Sequence, residues 1–210
     1  MDRILSDYLE RYPELRGCKE SVVGAVGAIV NCYRSGGKLL VAGNGGSAAD
    51  SAHICGELLK GFLLKRPLSG EDKSFYATQG EIGGLISDKL QGSLPAVDLS
   101  AMQSVISATL NDNGADLIFA QQINGLGKPG DVFIGISTSG NSRNVIAAGI
   151  VAKRRGLTAI ALTGERESAM SSLFDITVRA PSSLTPRVQE FHLPIYHLIC
   201  AAVEAELWKQ

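Results

Sequence analysis

KLLVAGNGGSAADSAHICGELLK, Lys38 to Lys60, is the segment whose reading decides the fold. Leu39 to Ala42 is a short apolar run cut off by glycines, which reads as a buried strand. Gly43, Asn44, Gly45, Gly46 and Ser47 make a turn, and a helix carrying His53 and Glu57 follows. A glycine turn feeding a helix N-terminus presents backbone amides and a positive dipole end, a ready anion site. His53 and Glu57 are four apart, so they share one helix face. A neutral imidazole beside a carboxylate suits proton transfer or a divalent metal. By itself such a pair is more often a solvated face.

The same grammar recurs downstream. Asp131–Ile136 reads as a buried strand that runs into Ser137-Thr138-Ser139-Gly140-Asn141-Ser142 and a helix to Arg155. Residues 94–99, 158–163 and 175–179 supply three more strands. Residues 100–110, with Ser100 as N-cap, and 115–126 read as helices on either side of a turn at Asn111-Asp112-Asn113-Gly114. Residues 186–208 read as a closing helix. Apolar strands alternating with helices describe an α/β fold: a doubly wound, five-stranded parallel sheet flanked by helices. Both hydroxyl- and glycine-rich turns then lie at carboxyl ends of strands, where such sheets bind ligands. The hydroxyls of Ser137, Thr138, Ser139 and Ser142 can surround a phosphate without a cationic side chain. The turns hold no GK[ST], and GNGGSA lacks the last glycine of GxGxxG, which argues against a nucleotide cofactor.

The whole chain, 1–210, reads as one domain. Residues 2–12 and 17–35 have helical spacing, with Val22, Val23, Val26, Ile29, Val30 and Tyr33 on one face of the second. Helices ahead of the first strand, with no strand of their own to cover, point to packing on a partner subunit. Residues 61–92 read as an irregular insertion, with one short helix around Glu81–Leu90.

Composition narrows the function classes. Twenty basic and 21 acidic residues leave a net charge of −1, which argues against nucleic-acid binding. Four scattered cysteines without a CxxC pair fit reduced thiols in the cytoplasm. The charged N-terminus resembles no signal peptide, and no apolar run is long enough to span a membrane.

A third cluster, Arg187-Val188-Gln189-Glu190-Phe191-His192-Leu193-Pro194-Ile195-Tyr196-His197, puts two of the three histidines on the closing helix. Gln189 and His197 are eight residues apart, about 80° around the axis and about 12 Å along it. Two long side chains and two metal bonds just span that distance. Pro194 should kink the helix between them. His192 reads as a residue that caps or packs.

These strings together resemble the sugar isomerase (SIS) domain family, in its phosphoheptose isomerase type. GNGGSAADSAH with Glu57, LND at 110–112, GISTSGNSRNV, ALTG, and RVQEFH with His197 carry the resemblance. It implies an aldose–ketose isomerase that interconverts sedoheptulose 7-phosphate and D-glycero-D-manno-heptose 7-phosphate. It implies Glu57 and His197 as the acid/base pair. Asn44, Gly45, Gly46, Ser47, Asn111 and Asp112 would then border the sugar, and Gln189 contact it. Ser137, Thr138, Ser139 and Ser142 would hold the phosphate. It also implies zinc on His53, Glu57, Gln189 and His197, and a homotetramer with sites at subunit contacts, where Glu57 and His197 would be free to meet across chains.

The chain departs from the family pattern at several points. No arginine follows Glu57 closely, leaving Lys60, Lys65 or Arg66 as candidate replacements for that charge. Pro186 stands where an acidic residue is usual, and Glu165-Arg166-Glu167 replaces a charged-Gly-Gly turn. The alternatives are an isomerase or binder of another phosphosugar, or a non-catalytic SIS protein that binds a protein partner. The presence of both Glu57 and His197 speaks against the last.

Overall fold

A computed structural model describes residues 2–208, without the side chain of Asp2; the terminal residues of the 1–210 domain lie outside the described part. Two helices, α1 (Asp2–Arg11) and α2 (Lys19–Arg34), precede the sheet, as their periodicity predicts. The strands are β1 (Leu39–Gly43), β2 (Ala96–Asp98), β3 (Val132–Ile136), β4 (Thr158–Thr163) and β5 (Ile176–Arg179). They pair in parallel in the order β2-β1-β3-β4-β5.

Every residue of β1 and of β3 is buried, because helices cover both faces. Alternation along the strands divides the core in two. Leu39, Val41, Val132, Ile134 and Ile160 pack under α2 and the long helix α10 (Thr185–Leu207). Leu40, Ala42, Phe133, Ala159 and Ala161 face the other side, under α7 (Ile118–Leu126) and α8 (Arg143–Arg154). The chain leaves β1 for β2 on one side and returns to β3 on the other. The switch point therefore falls between the carboxyl ends of β1 and β3, where Gly43 pairs with Ile136. Both turns singled out in the sequence leave the sheet there.

Three local expectations are corrected. Residues 61–92 hold two helices, α4 (Gly70–Ala77) and α5 (Gly80–Lys89), packed on each other as a hairpin. Gly83 permits the close crossing, since a Cβ there would strike the Tyr76 carbonyl. Ser100 does not cap a helix: α6 runs from Gln103 to Asn113, and Ser100 Oγ instead donates to the Gly43 carbonyl at 3.0 Å. Asn111, Asp112 and Asn113 belong to the last turn of α6, and only Gly114, at φ 93°, breaks it. Helix α10 runs through Pro194 without a break, and Ile195, Tyr196 and Leu198 after it are buried.

Candidate active site

Helix α3 (Gly46–Leu59) starts at the switch point because Gly43 and Gly45 allow the turn. A Cβ on Gly43 would collide with the Ser47 backbone, and Gly45 takes a positive φ of 57°. Ser51 Oγ donates to Asp98 Oδ1 at 2.7 Å, fastening α3 to the end of β2. Asn44 forms a reciprocal amide pair with Asn144, both bonds 2.9 Å long, which ties the first turn to the start of α8. Asn44, Gly45 and Gly46 are exposed, while Ser47 is buried.

The second turn gathers its hydroxyls. Ser137 Oγ lies 2.8 Å from Ser142 Oγ and 3.5 Å from Ser139 Oγ. Ser142 is the N-cap residue of α8 but makes no capping bond, and Gly140 bends the loop at φ 66°. Three hydroxyls thus converge at a twelve-residue helix N-terminus, an arrangement suited to phosphate oxygens. Thr138 completes the loop and is half-buried.

His53, Glu57 and His197 come together within one chain, their candidate ligand atoms all within 4.8 Å of one another. His53 Nε2 is 3.0 Å from Glu57 Oε1 and 3.5 Å from His197 Nε2. Glu57 and His197, expected as an acid/base pair, therefore meet inside the protomer and need no partner chain for that contact, because α3 and α10 pack side by side. Burial, and then the neighbouring His53, lower the His197 imidazole below its ordinary pKa against the opposing pull of Glu57. The shift favours the neutral imidazole over the charged one.

The donor set also fits a zinc ion. Two imidazole nitrogens face each other beside a carboxylate, and Glu57 Oε2 is buried without a hydrogen bond. Gln189 packs against Gly46, its amide touching the space a Cβ would fill, at the start of α3. His53 is seven residues, about 10 Å, further along that helix. Asn111 and Asp112 bond to each other at 2.8 Å near the end of α6. Both side chains are exposed.

Several residues around the cluster escaped the sequence reading. Tyr196 places its hydroxyl 2.9 Å from His53 Nδ1. Burial, followed by the Asp50 carboxylate, pushes the Tyr196 phenol up, and burial raises Asp50 despite the opposing Tyr196 and His53. Of the candidate cations, Lys60 alone stands by the carboxylate, with Nζ 3.6 Å from Glu57 Oε2. Arg66 is buried instead. Its Nε donates to Glu204 Oε1 at 2.7 Å, and its other nitrogens donate to the carbonyls of Leu58 and Glu57. Glu204 also accepts from the amides of Phe62, Leu63 and Leu64. Burial opposes its ionisation, but these four donors together hold the carboxyl below its usual range. His192 is fully buried and bonds Thr163 O at 3.2 Å, a packing residue as its position suggests. A cleft of about 720 Å³ opens between residues 61–67 and α5, lined in part by Phe62, Lys65, Lys73 and Leu90. The Phe62 ring lies 5.4 Å from that of His197, so this cleft and the cluster share a wall.

Residues 7–164 match the family model described as the SIS domain. A phosphoheptose isomerase of Sulfurimonas denitrificans is 40% identical over 179 residues, which is 85% of this chain and 79% of that protein. The chain belongs to the SIS-domain family, in its phosphoheptose isomerase branch. Phosphoheptose isomerase 2 of Campylobacter jejuni is 39% identical over 86% of this chain and 77% of its own length. Among solved structures, the phosphoheptose isomerase of Francisella tularensis aligns with a TM-score of 0.76 at 29% identity over 96% of each chain. That of Neisseria gonorrhoeae aligns with a TM-score of 0.73 at 30% identity, covering 97% of this chain and 98% of its own.

Proposed function

We propose that this SIS-domain protein is an aldose–ketose isomerase that converts sedoheptulose 7-phosphate to D-glycero-D-manno-heptose 7-phosphate. The observation that carries the reading is the convergence of His197 with His53 and Glu57 of helix α3, whose first turn opens at the switch point that also bears the hydroxyl turn. Ser137, Thr138, Ser139 and Ser142 hold the phosphate. Asn44, Gly45, Gly46, Ser47, Asn111, Asp112 and Gln189 border the sugar.

The reaction is balanced within the substrate. Glu57 takes a proton from C1 of the ketose and, after exchange with solvent, delivers one to C2, while His197 moves the hydroxyl proton from O1 to O2 through an enediol(ate). A neutral imidazole both gives and accepts a proton, which the lowered pKa of His197 favours. Lys60 offers positive charge beside Glu57 in the place of the missing arginine. A zinc ion held by His53, Glu57 and His197, with Gln189 as the fourth expected ligand, would supply Lewis-acid stabilisation of the oxygen charge. Exposed Phe75, Ile82 and Leu85 on the α4–α5 hairpin, with Leu90 just after it, support assembly with further copies; a homotetramer in the cytoplasm is the state the family resemblance implies.

Incubating the protein with sedoheptulose 7-phosphate and following formation of the aldose phosphate tests the proposal. Turnover of this substrate above five- and six-carbon phosphosugars is the expected result. Preference for a shorter phosphosugar would reassign the substrate, and no turnover of any would reject the isomerase reading.

A further inference from the structure

The two turns at the switch point are each tied outward, to opposite sides of the sheet. Ser100, just past β2, holds the first: its hydroxyl donates to the Gly43 carbonyl at 3.0 Å and accepts from the Gly43 amide at 3.3 Å. The second is held from the β4 side. The Ser137 amide donates to Leu162 O, the Gly164 amide to Thr138 O and the Met170 amide to Gly140 O, at 3.0, 3.0 and 3.1 Å. Pairing between β1 and β3 ends at Gly43 and Ile136, so both turns run on past the last rung of the ladder. Each contains a glycine at positive φ, Gly45 at 57° and Gly140 at 66°. Among the described residues, the side-chain hydrogen bonds that cross this gap are the two between Asn44 and Asn144.

We infer that Asn144 is a positioning residue: paired with Asn44, it fixes the span between the turn that borders the sugar and the turn that holds the phosphate, and so selects phosphosugars by length. The inference rests on the reading of these two turns as the substrate site. Asn144 lies in the first turn of α8, and its Oδ1 also accepts from the Val145 amide at 2.9 Å. That bond to its own helix orients the carboxamide before Asn44 meets it. A reciprocal pair needs a donor and an acceptor on both partners, which asparagine supplies and aspartate does not. The pair is also uncharged, so it sets no negative charge against a phosphate at Ser137, Ser139 and Ser142. A phosphosugar gripped at both ends uses both sets of contacts only when its chain matches the gap. With the gap fixed in advance, the matching chain binds without having to order two glycine-containing turns. Without the pair the gap is free to vary, and chains of different length are discriminated less.

The test is a double-mutant cycle of Asn44→Ala and Asn144→Ala, assayed on sedoheptulose 7-phosphate and on the five-carbon ketose ribulose 5-phosphate. Asn44 is exposed and Asn144 half-buried, and the Val145 amide keeps its bond to Ser142 O at 3.1 Å, so each variant should fold. In Asn144→Ala, kcat/KM for the seven-carbon substrate relative to the five-carbon one should fall about 10-fold, the size expected for two coupled hydrogen bonds. Competition by inorganic phosphate should stay at the wild-type level, because the hydroxyl turn is intact. Adding Asn144→Ala to Asn44→Ala should change the ratio little further. An unchanged ratio in Asn144→Ala, or fully additive effects in the double variant, would overturn the proposal. So would equal weakening of both sugars and of inorganic phosphate, which marks a merely structural role. If wild type prefers the shorter sugar, the substrate assignment fails, and the same cycle read on that preference decides the role of Asn144. If wild type binds both sugars without turnover, the isomerase reading fails, and the ratio of dissociation constants decides it. Binding of neither sugar would reject both readings.

Discussion

His53 Nε2 and His197 Nε2 lie 3.5 Å apart although 144 positions separate them in the chain. The contact joins α3, which springs from the first turn, to α10, which closes the fold. Both rings also come within reach of Glu57. The cluster is therefore assembled where α3 packs against α10.

Glu57→Gln and His197→Asn should each reduce turnover about 10²- to 10⁴-fold, the usual contribution of a positioned acid or base. Both side chains sit at the edge of the core, with Glu57 13% exposed, so the fold should survive. Circular dichroism and a melting temperature close to wild type would check that point. Full residual turnover in either variant would remove that residue from the acid/base pair.

Ser137→Ala should raise KM for the phosphosugar about 10- to 100-fold, as expected for losing one hydrogen bond to a charged group. Ser137 is buried and its hydroxyl meets Ser142, so the cradle loses its inner wall. Binding titrations with phosphorylated and unphosphorylated sugar separate this effect from general damage. If wild type binds both equally, the turn does not recognise phosphate.

Arg66 and Glu204 form an ion pair whose side chains are both fully buried. Removing one partner leaves an uncompensated buried charge, which costs about 3–5 kcal/mol. Arg66→Ala should therefore destabilise strongly in denaturant melts. It should also lower turnover, because Arg66 bonds the backbone carbonyls of Leu58 and Glu57. Glu204→Gln should release the 61–66 loop, read as faster amide exchange at Phe62, Leu63 and Leu64. Unchanged exchange there would show that other contacts hold the loop.

His192 is buried, and desolvation lowers its pKa to about 4 from 6.5, against a smaller opposing effect of the Thr163 carbonyl. Below pH 6.5 the unfolded chain binds a proton that the folded chain refuses, so stability falls as pH drops from about 6.5 to 4. The loss from this residue approaches about 3 kcal/mol at most. His192→Gln should flatten that part of the stability–pH curve. A curve with unchanged slope would assign the acid sensitivity to other groups.

Much of this arrangement is legible in the sequence because local chemistry dictates it. Apolar runs ended by glycine and hydroxyl residues mark β1, β3 and β4, and the residues that must turn the chain are those that bear the site. The hairpin is less legible. No residue of α4 is buried, so there is no apolar stripe to read, and only Gly83 of α5 is buried. Arg66 beside Lys65 looks like a surface pair, since its partner Glu204 lies 138 positions away. The Asn44–Asn144 pair spans 100 positions and gives no local signal. Tyr196 reads as a core residue on an apolar helix, and its hydroxyl becomes meaningful only when α3 brings His53 against it.

The most direct test of the central claim is solvent exchange during turnover in deuterium oxide. Sedoheptulose 7-phosphate incubated with the protein should exchange its C1 proton and yield aldose phosphate deuterated at C2, and Glu57→Gln should suppress both. Conversion without any deuterium at C1 or C2, or exchange at the wild-type rate in Glu57→Gln, would contradict proton transfer through an enediol(ate) by Glu57.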